Sequence, residues 1–480
     1  MNRRFVFYLM GQIFNAAAAL MVLPMIVSAV YTEASFFAFF ITIGICLLIG
    51  IPMSLLCKTE DRVIYAKEGF IIVALAWICL SAVGALPFVI SGEIPSYIDA
   101  FFETVSGFTT TGASILTDVE SLSKGILFWR SFTHWIGGMG VLVFIMAIIP
   151  SSTERSIHIL RAEVPGPIVG KIVPKMKETA KILYLIYIAL TVIEIAFLLF
   201  GGMSFFDSVV HAFGTAGTGG FGIKADSIAS YSPYLQWVIT IFMLIFGVNF
   251  NLYYLILANK IKSILKSEEL WVYIGITLIS SVIIAVNISG MYGDVSEAIR
   301  AASFQVASIT TTTGYATADF NLWPELSKTI LLMLMFVGSC AGSTAGGFKI
   351  SRVILLVKMV KREIQFLLHP RSVGVVRFEG KKVEAPVLKS LSAYTAVYLV
   401  CFITVFILLA FDNFDILTNF SAAAACFNNI GPGLSAVGPA ASYTEYSVFS
   451  KLVLSVAMLF GRLEIYPILF VLSPSAWSKR

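Results

Sequence analysis

Four short polar segments rich in glycine and threonine interrupt an otherwise apolar chain. They are residues 107–113, 216–221, 310–315 and 428–433, aligned on Gly112, Gly219, Gly314 and Gly431. Backbone carbonyls, helped by threonine hydroxyls, can replace the water shell of K+ or Na+ where glycine lets the chain run extended along a pore. A single loop of this kind is typical of an ordinary connection between membrane helices. Four in register predict one ring of oxygen ligands built by a single chain.

Each polar loop follows a short apolar segment and lies between two long apolar runs. The short segments are about 97–108, 205–216, 295–309 and 415–427, and each opens near an acidic residue, namely Asp99, Asp207, Glu297 or Asp415. A membrane-spanning helix needs about 20 apolar residues. We therefore expect half-helices that enter the membrane and turn back, with their negative C-terminal ends toward a cation.

The composition indicates a membrane protein with many spans. Of 480 residues, 58% are hydrophobic and only 13% charged, and the mean hydropathy is +0.89. The net charge of +5 does not suggest nucleic-acid binding. We predict ten full spans, at about 5–31, 36–57, 69–91, 126–150, 182–202, 234–258, 270–290, 327–348, 391–411 and 449–475. The first apolar run, about 27 residues long, is too long for the core of a cleaved signal peptide and is kept as a membrane helix.

These elements predict an all-α polytopic membrane protein with four pseudo-repeats around a central pore. Each repeat is a helix, a pore half-helix with its loop, and a second helix, and two extra helices precede the repeats. The boundaries are 1–68 for the N-terminal hairpin and 69–181, 182–268, 269–390 and 391–480 for the repeats. Basic residues set the orientation, because inner loops collect Lys and Arg. With the N-terminus inside, 26 of the 33 Lys and Arg lie on inner segments, both termini are cytoplasmic, and all four polar loops face outward.

Residues 338–347 place four glycines, two serines and a threonine inside the predicted span 327–348. The spacing of Gly338, Gly342 and Gly346 is typical of close helix packing. The composition also suits a broken helix that exposes carbonyls to a cavity. Below a filter, such a loop would act as a gate.

Arg462 lies within the last predicted span. An arginine at the bilayer centre costs several kcal/mol, so it should face a polar interior and have a partner. Glu464 lies on another helical face and is no obvious partner. In the alternative interpretation, Arg462 extends from a helix end to the inner interface. Otherwise it fixes the gate loop closed and repels cations.

Other polar residues in the spans have simpler interpretations. Arg130 and His134 form an (i, i+4) pair that we expect to tie a helix to the first loop, although a proton relay through His134 is an alternative. His211 is expected to be structural. The six cysteines lack a CxxC spacing and are expected to be small core residues. An intramembrane enzyme would need a nucleophile with a base, or clustered metal ligands, and the sequence suggests neither.

The four loops, the runs 134–140 and 341–347, and Arg462 together resemble the Trk/Ktr/HKT superfamily of K+ transporters. The resemblance covers about residues 5–475. The two extra N-terminal spans and residues 163–167 are similar to the bacterial TrkH branch rather than to KtrB. The resemblance implies K+ and Rb+ as transported ions, the bacterial inner membrane, a homodimer, and a cytosolic nucleotide-binding subunit of the TrkA type. That subunit would dock on residues 151–181 and 349–390, and no organic cofactor is expected.

The resemblance also implies residue roles. The selectivity filter, which would bind K+, is Thr110, Thr111, Gly112, Gly217, Thr218, Gly219, Thr312, Thr313, Gly314, Asn429, Ile430 and Gly431. The gate is Gly338, Gly342, Ser343, Thr344, Gly346, Gly347 and Arg462. The second and fourth loops depart from the threonine-rich pattern, so we expect a less strict preference for K+ over Na+.

Two transport mechanisms remain open at this point. One is a passive, K+-selective channel-like pore gated by a partner. The other is a Na+- or H+-coupled symporter on the same scaffold. Coupling needs a second ion site, and the spans offer no acidic residues except Glu194 and Glu464. A silent, non-conducting member is a further alternative.

Overall fold

The computed structural model describes residues 3–59, 66–140, 176–372 and 374–477, and their regular structure is almost entirely helical. The helices are α1 Arg3–Val30, α2 Ser35–Leu56, α3 Ala66–Gly84, α4 Leu86–Ile90, α5 Tyr97–Phe108, α6 Lys124–Gly138, α7 Met176–Phe200, α8 Phe205–Gly217, α9 Pro233–Phe246, α10 Phe250–Leu257, α11 Ile261–Ile264, α12 Glu268–Ile288, α13 Val295–Thr310, α14 Glu325–Val337, α15 Ile350–Leu368, α16 Ala385–Leu409, α17 Ile416–Phe427, α18 Val448–Arg462, α19 Tyr466–Leu472 and α20 Pro474–Trp477. Short 3-10 turns lie at Ser289–Met291, Phe320–Leu322, Ala410–Asp412 and Ser435–Val437. Two short strands, β1 Arg377–Phe378 and β2 Lys381–Lys382, pair antiparallel.

Fewer helices cross the membrane unbroken than the sequence predicts. Within the described ranges, six helices are long and apolar enough to span a bilayer, and α9 with α10 forms a seventh candidate bent by 88°. The predicted spans 234–258, 327–348 and 449–475 are therefore wrong as continuous helices, because each breaks in its middle. The second half of the predicted span 126–150 lies outside the described residues.

Four short helices with polar loops confirm the predicted four-repeat plan. These pore helices are α5, α8, α13 and α17, and the half of each that precedes its loop is buried. Ser96, Ser204 and Asp415 cap three of them by accepting a backbone N–H bond. The hydrogen bonds from Thr418 hold the pKa of the Asp415 carboxyl below its usual value, which keeps it ionised. Asp99, the acidic residue near the start of the first pore helix, forms an ion pair with Lys451 at 2.6 Å.

The N-terminal helices α1 and α2 form a hairpin against the first repeat. Glu33, in the link between them, accepts hydrogen bonds from the backbone N–H groups of Lys124 at 2.7 Å and Gly125 at 2.9 Å. These amides open α6, so a carboxylate satisfies two donors that the helix itself cannot pair. One acidic side chain thus fixes the appended hairpin to the helix that supports the first polar loop.

Replacing Glu33 with alanine should lower the stability of the folded protein. Two charge-assisted hydrogen bonds are lost, which we expect to cost about 1–3 kcal/mol in all. Thermal unfolding of the detergent-solubilised protein measures the effect. Glu325→Ala is the control, since its ion pair with Lys328 is largely exposed and should be worth less than about 1 kcal/mol. Equal melting temperatures for the two variants would contradict the role of Glu33.

Candidate functional site

All four pore helices end in the same backbone turn. One or two residues after each helical end, a residue lies in the left-handed region, with φ of 56° at Thr110, 54° at Thr218, 56° at Thr312 and 56° at Asn429. The next residue donates its N–H to a carbonyl five positions back at 2.8 Å in every copy, from Thr111, Gly219, Thr313 and Ile430. This is the Schellman ending, which usually places glycine where three threonines and an asparagine stand here. A threonine in this conformation costs about 1–3 kcal/mol, so each of these loops carries backbone strain.

A glycine with positive φ follows two residues after each left-handed residue. These ring glycines are Gly112 (φ 79°), Gly220 (φ 74°), Gly314 (φ 86°) and Gly431 (φ 95°). The sequence alignment on Gly219 is therefore wrong by one residue in the second loop. Gly219 and Gly220 are both glycines, so residue type alone could not fix the register; the shared turn geometry does.

The ring glycines are packed against one another in a closed cycle. A Cβ atom built on Gly112 would lie 2.0 Å from the carbonyl oxygen of Gly219, and one on Gly220 would lie 2.0 Å from that of Thr313. The same construction on Gly314 meets the Ile430 oxygen at 2.1 Å, and on Gly431 the Thr111 oxygen at 2.6 Å. Each repeat thus contacts the carbonyl just before the ring glycine of the next, and the fourth returns to the first. No side chain larger than that of glycine fits.

Gly217 lies elsewhere than its predicted place in the ring. It is the last residue of α8, and a Cβ on it would meet the carbonyl oxygen of His134 at 2.3 Å. Its small size lets α8 approach α6. The second loop therefore contributes Thr218, Gly219 and Gly220 at the positions that Thr110, Thr111 and Gly112 occupy in the first.

Most threonine hydroxyls of the loops are bound within the protein. The hydroxyl of Thr111 pairs with Thr109 at 2.8 Å and accepts from the Asn429 amide at 2.9 Å. Thr313 pairs with Thr311 at 2.8 Å. The Thr218 hydroxyl donates to the Gly217 carbonyl. Carbonyls rather than hydroxyls are thus the oxygens available in common to all four loops, and the missing threonines of the second and fourth loops matter less than the sequence suggests.

Two buried side chains of α6 hold the first and second loops together. Arg130 forms an ion pair with Glu103 at 2.6 Å, donates to the Gly222 carbonyl at 2.8 Å, and lies 3.6 Å from the Phe221 ring centroid. Glu103 also accepts from the Ile115 N–H at 3.0 Å. Sequence analysis missed Glu103, although a carboxylate in an apolar half-helix is itself a signal.

His134 contacts both loops through its two ring nitrogens. Nδ1 lies 2.8 Å from the Gly107 carbonyl, to which it donates, and Nε2 accepts from the Phe221 N–H at 3.3 Å. One nitrogen donates and the other accepts, which is the pattern of a neutral imidazole. Both nitrogens are engaged by backbone, which favours the structural role over a proton relay. His211 likewise contacts the carbonyl of Asp207, one turn before it in α8.

A cavity of about 600 Å³ opens onto the ring, lined mainly by the residues that follow the polar loops. All four ring glycines line it, together with Arg130, Lys224 and Glu445 among others. An ion in this vestibule would reach the four loops directly.

The run 338–347 is a loop, which resolves the two interpretations in favour of the broken helix. Helix α14 ends at Val337 and α15 begins at Ile350. We call residues 338–349 the gate loop. Gly338, Gly342, Gly347 and Lys349 have positive φ, so the three glycines of the packing pattern do not share a helical face.

The gate loop lies against the third and fourth polar loops and against the break in the second repeat. The Gly346 N–H donates to the Thr312 hydroxyl at 2.7 Å. A Cβ on Gly346 would lie 2.7 Å from the Asn428 carbonyl oxygen. The Phe250 N–H donates to the Gly342 carbonyl at 3.0 Å, and the Cys340 N–H to the Gly247 carbonyl at 3.2 Å. The loop therefore lies directly beside the polar loops of the third and fourth repeats.

Arg462 joins the gate loop to the first repeat. Its guanidinium donates to the carbonyl of Thr344 at 2.8 Å and to those of Gly137 at 2.5 Å and Gly138 at 2.8 Å. Backbone carbonyls at the end of α6 accept a cation well, since that is the negative end of a helix. Carbonyls of two repeats thus supply the partners that the sequence required of Arg462.

Further charged residues near the gate loop were not predicted. Arg352 pairs with Glu464 at 2.6 Å, which explains why Glu464 does not pair with Arg462. The Lys349 ammonium is buried and donates to the Ala345 carbonyl. The sequence predicts that Lys349 and Arg352 lie in a basic inner segment; the break in the helix instead buries both side chains in the protein.

Comparison with known proteins gives a consistent result. Residues 35–479 match the family model TrkH, described as a cation transport protein. The Trk system potassium uptake protein TrkH of Escherichia coli strain K12 is 36% identical over 484 residues, covering 99% of this chain and 100% of the relative. TrkG of the same strain, also named a Trk system potassium uptake protein, is 36% identical, with 95% and 94% covered. The crystal structure of the potassium transporter TrkH from Vibrio parahaemolyticus matches with a TM-score of 0.90 and 32% identity, covering 100% of both chains.

The shifted register of the second loop predicts a specific pattern of alanine substitutions. Gly220→Ala should reduce rubidium tracer uptake by at least tenfold, as should Gly112→Ala, because each new methyl group meets a backbone carbonyl that cannot move aside. Gly202→Ala is the control: it also has positive φ (82°), but no atom lies within 4 Å of its Cβ. Wild-type uptake by Gly220→Ala would contradict the assigned ring.

Proposed function

We propose that this chain, which belongs to the TrkH family of cation transport proteins, takes up K+ through a selective, channel-like pore. The observation that carries the proposal is the closed cycle of ring glycines, each packed against the carbonyl before the next. Relatives along the full length are named potassium uptake proteins. In this chain, the ring of backbone carbonyls is the proposed site at which the ion binds.

The ring explains selectivity without dedicated side chains. Carbonyls of four loops surround one axis, and each pore helix adds the negative end of its dipole. The asymmetric residues of the second and fourth loops change the side chains behind the ring more than the backbone that forms it. K+ and the similarly sized Rb+ are therefore the ions proposed to pass, with Na+ and Li+ disfavoured.

The charge distribution supports a location in the bacterial inner membrane with both termini in the cytoplasm. On that orientation the vestibule faces outward and the gate loop lies on the cytoplasmic side of the filter. Helix α15, the strand pair and the basic residues around them then face the cytoplasm. This is where a nucleotide-binding subunit of the TrkA type would dock; most of the other predicted contact, 151–181, lies outside the described residues. A homodimer is proposed from the family resemblance.

The gate loop is proposed to close the pore, with Arg462 holding it in place. The loop places the Gly346 N–H on the Thr312 hydroxyl beside the filter, and Arg462 bonds it to the first repeat. A guanidinium beside the pathway also repels cations. Opening would require the Thr344 carbonyl to leave Arg462.

One observation favours the coupled symporter as a second candidate. Glu194 in α7 is fully buried, and among the residues that the structure describes neither carboxylate oxygen has a hydrogen-bond partner of good geometry. A buried carboxylate without a partner is costly unless it is protonated or bound to a cation. Such a group could exchange a proton or Na+ during transport.

Ion flux through the purified protein in liposomes tests the proposal. K+, Rb+, Na+ and Li+ are compared without a proton or sodium gradient. We expect passive K+ and Rb+ flux and little Na+ or Li+ flux. Flux that appears only with an imposed H+ or Na+ gradient would favour the symporter, and then Glu194→Gln should abolish the coupling.

Arg462→Ala should raise resting K+ flux at least severalfold, because the substitution removes the hydrogen bond to the closed loop at Thr344, the two hydrogen bonds that hold Arg462 to α6, and a repelling charge. Its K+/Na+ ratio should stay that of the wild type, since the ring is untouched. Lys328→Ala, which removes a half-buried cation that pairs with Glu325, is the control. Unchanged resting flux in folded Arg462→Ala would remove the gate role.

A further inference from the structure

A short hairpin packs against the gate loop. We call residues 376–383 the hairpin; it contains β1 and β2, and the Val383 N–H closes it on the Val376 carbonyl at 3.0 Å. Its buried side chains share one apolar cluster with residues of the gate loop and of α12, α15 and α16. The buried members of this cluster are Tyr273, Cys340, Ile350, Ile354, Leu355, Val376, Phe378, Val383, Leu388 and Leu391.

Glu379, at the exposed turn of the hairpin, binds the start of α12. Its Oε1 accepts from the Ser267 hydroxyl at 3.0 Å and from the Glu269 N–H at 3.2 Å. A carboxylate suits this place, because the first amides of a helix have no partner within it. Lys358 of α15 adds a second bridge, donating to Glu268 and to the Arg377 carbonyl at 2.8 Å.

Glu269 connects the hairpin to the gate loop, because its backbone N–H binds Glu379 and its side chain binds the loop. Its Oε1 accepts from the Ala341 N–H at 2.7 Å and from the Ser351 N–H at 3.1 Å. Ala341 lies early in the gate loop and Ser351 lies just beyond its end. One buried carboxylate oxygen therefore holds both ends of the loop, while Arg462 holds its middle at Thr344.

We propose that Glu269 is a positioning residue for the gate loop and that Glu379 couples the hairpin to it. A displacement of the hairpin pulls the start of α12, moves Glu269, and releases both ends of the loop from their closed position. The inference rests on the gate proposed above and names the route by which an event on the hairpin side reaches the pore. Changes to the hairpin alone should therefore alter the opening of the gate, with the filter and Arg462 unchanged.

The test measures resting rubidium tracer uptake by the full-length protein in liposomes. Glu269→Ala and Glu379→Ala should each raise uptake at least threefold, because the closed loop loses its anchor or the anchor loses its support. Glu269→Gln should raise it less, since an amide oxygen still accepts both bonds without the charge. K+/Na+ selectivity should not change, which separates positioning from damage to the filter.

Glu363→Ala is the matched control, because it removes an exposed carboxylate of α15 on the same side and should behave as wild type. The double variant Glu269→Ala/Glu379→Ala should conduct no more than Glu269→Ala alone, since both act on one route. If the fold-increases in uptake of the two single variants multiplied in the double variant, the proposed route from Glu379 through Glu269 to the gate loop would be overturned. Glu379 is exposed, so its variant tests the relay even where Glu269→Ala does not fold.

Arg462→Ala, measured in parallel, separates the proposed gate from the proposed coupling of the hairpin to it. Raised uptake in Arg462→Ala with wild-type uptake in folded Glu269→Gln and Glu379→Ala would overturn the coupling and leave the gate standing. Absence of uptake in both the wild type and Arg462→Ala would overturn the proposed function, and the coupling with it.

Discussion

The structure depends on a backbone contact that only glycine permits. At each of four places a ring glycine lies against the carbonyl of the next repeat, so closely that a built Cβ would fall 2.0–2.6 Å from the oxygen. The left-handed residues Thr110, Thr218, Thr312 and Asn429 turn the chain off the pore helices and toward these contacts. Arg130, Glu103 and His134 hold the first and second of these loops in place.

Buried charge is organised around the same loops. A charge inside a membrane protein must be paired or hydrogen-bonded. Arg130 joins the first loop to the second, and Arg462 joins the fourth repeat to the first and the third. These two residues therefore fix the position of one repeat relative to another, which apolar packing in lipid does less specifically. Glu269 acts within the third repeat, where it holds both ends of the gate loop.

The all-α, four-repeat plan was predictable from the sequence, and the structure confirms it. Bilayer thickness sets the length of an apolar segment that can span the membrane, and the four polar loops mark the repeats. The sequence also favoured the broken helix at 338–347, where glycine content opposes a helix. It failed at the second loop, since Gly219 and Gly220 are chemically identical and only φ distinguishes them. It missed Glu103, Glu269 and Arg352, because their roles depend on partners 27 to 112 residues away. Hydropathy likewise could not locate the helix breaks at 247–249 and 463–465, because these short segments do not interrupt the apolar runs around them.

The most direct test of the carbonyl ring is the position of Rb+ in a crystal of this protein, found from its anomalous scattering. We expect a peak on the axis of the ring, among the carbonyl oxygens of Thr111, Gly219, Thr313 and Ile430. A peak centred instead at Gly217, or Rb+ bound elsewhere with none at the ring, would contradict the claim that these four backbone segments form the ion-selective site.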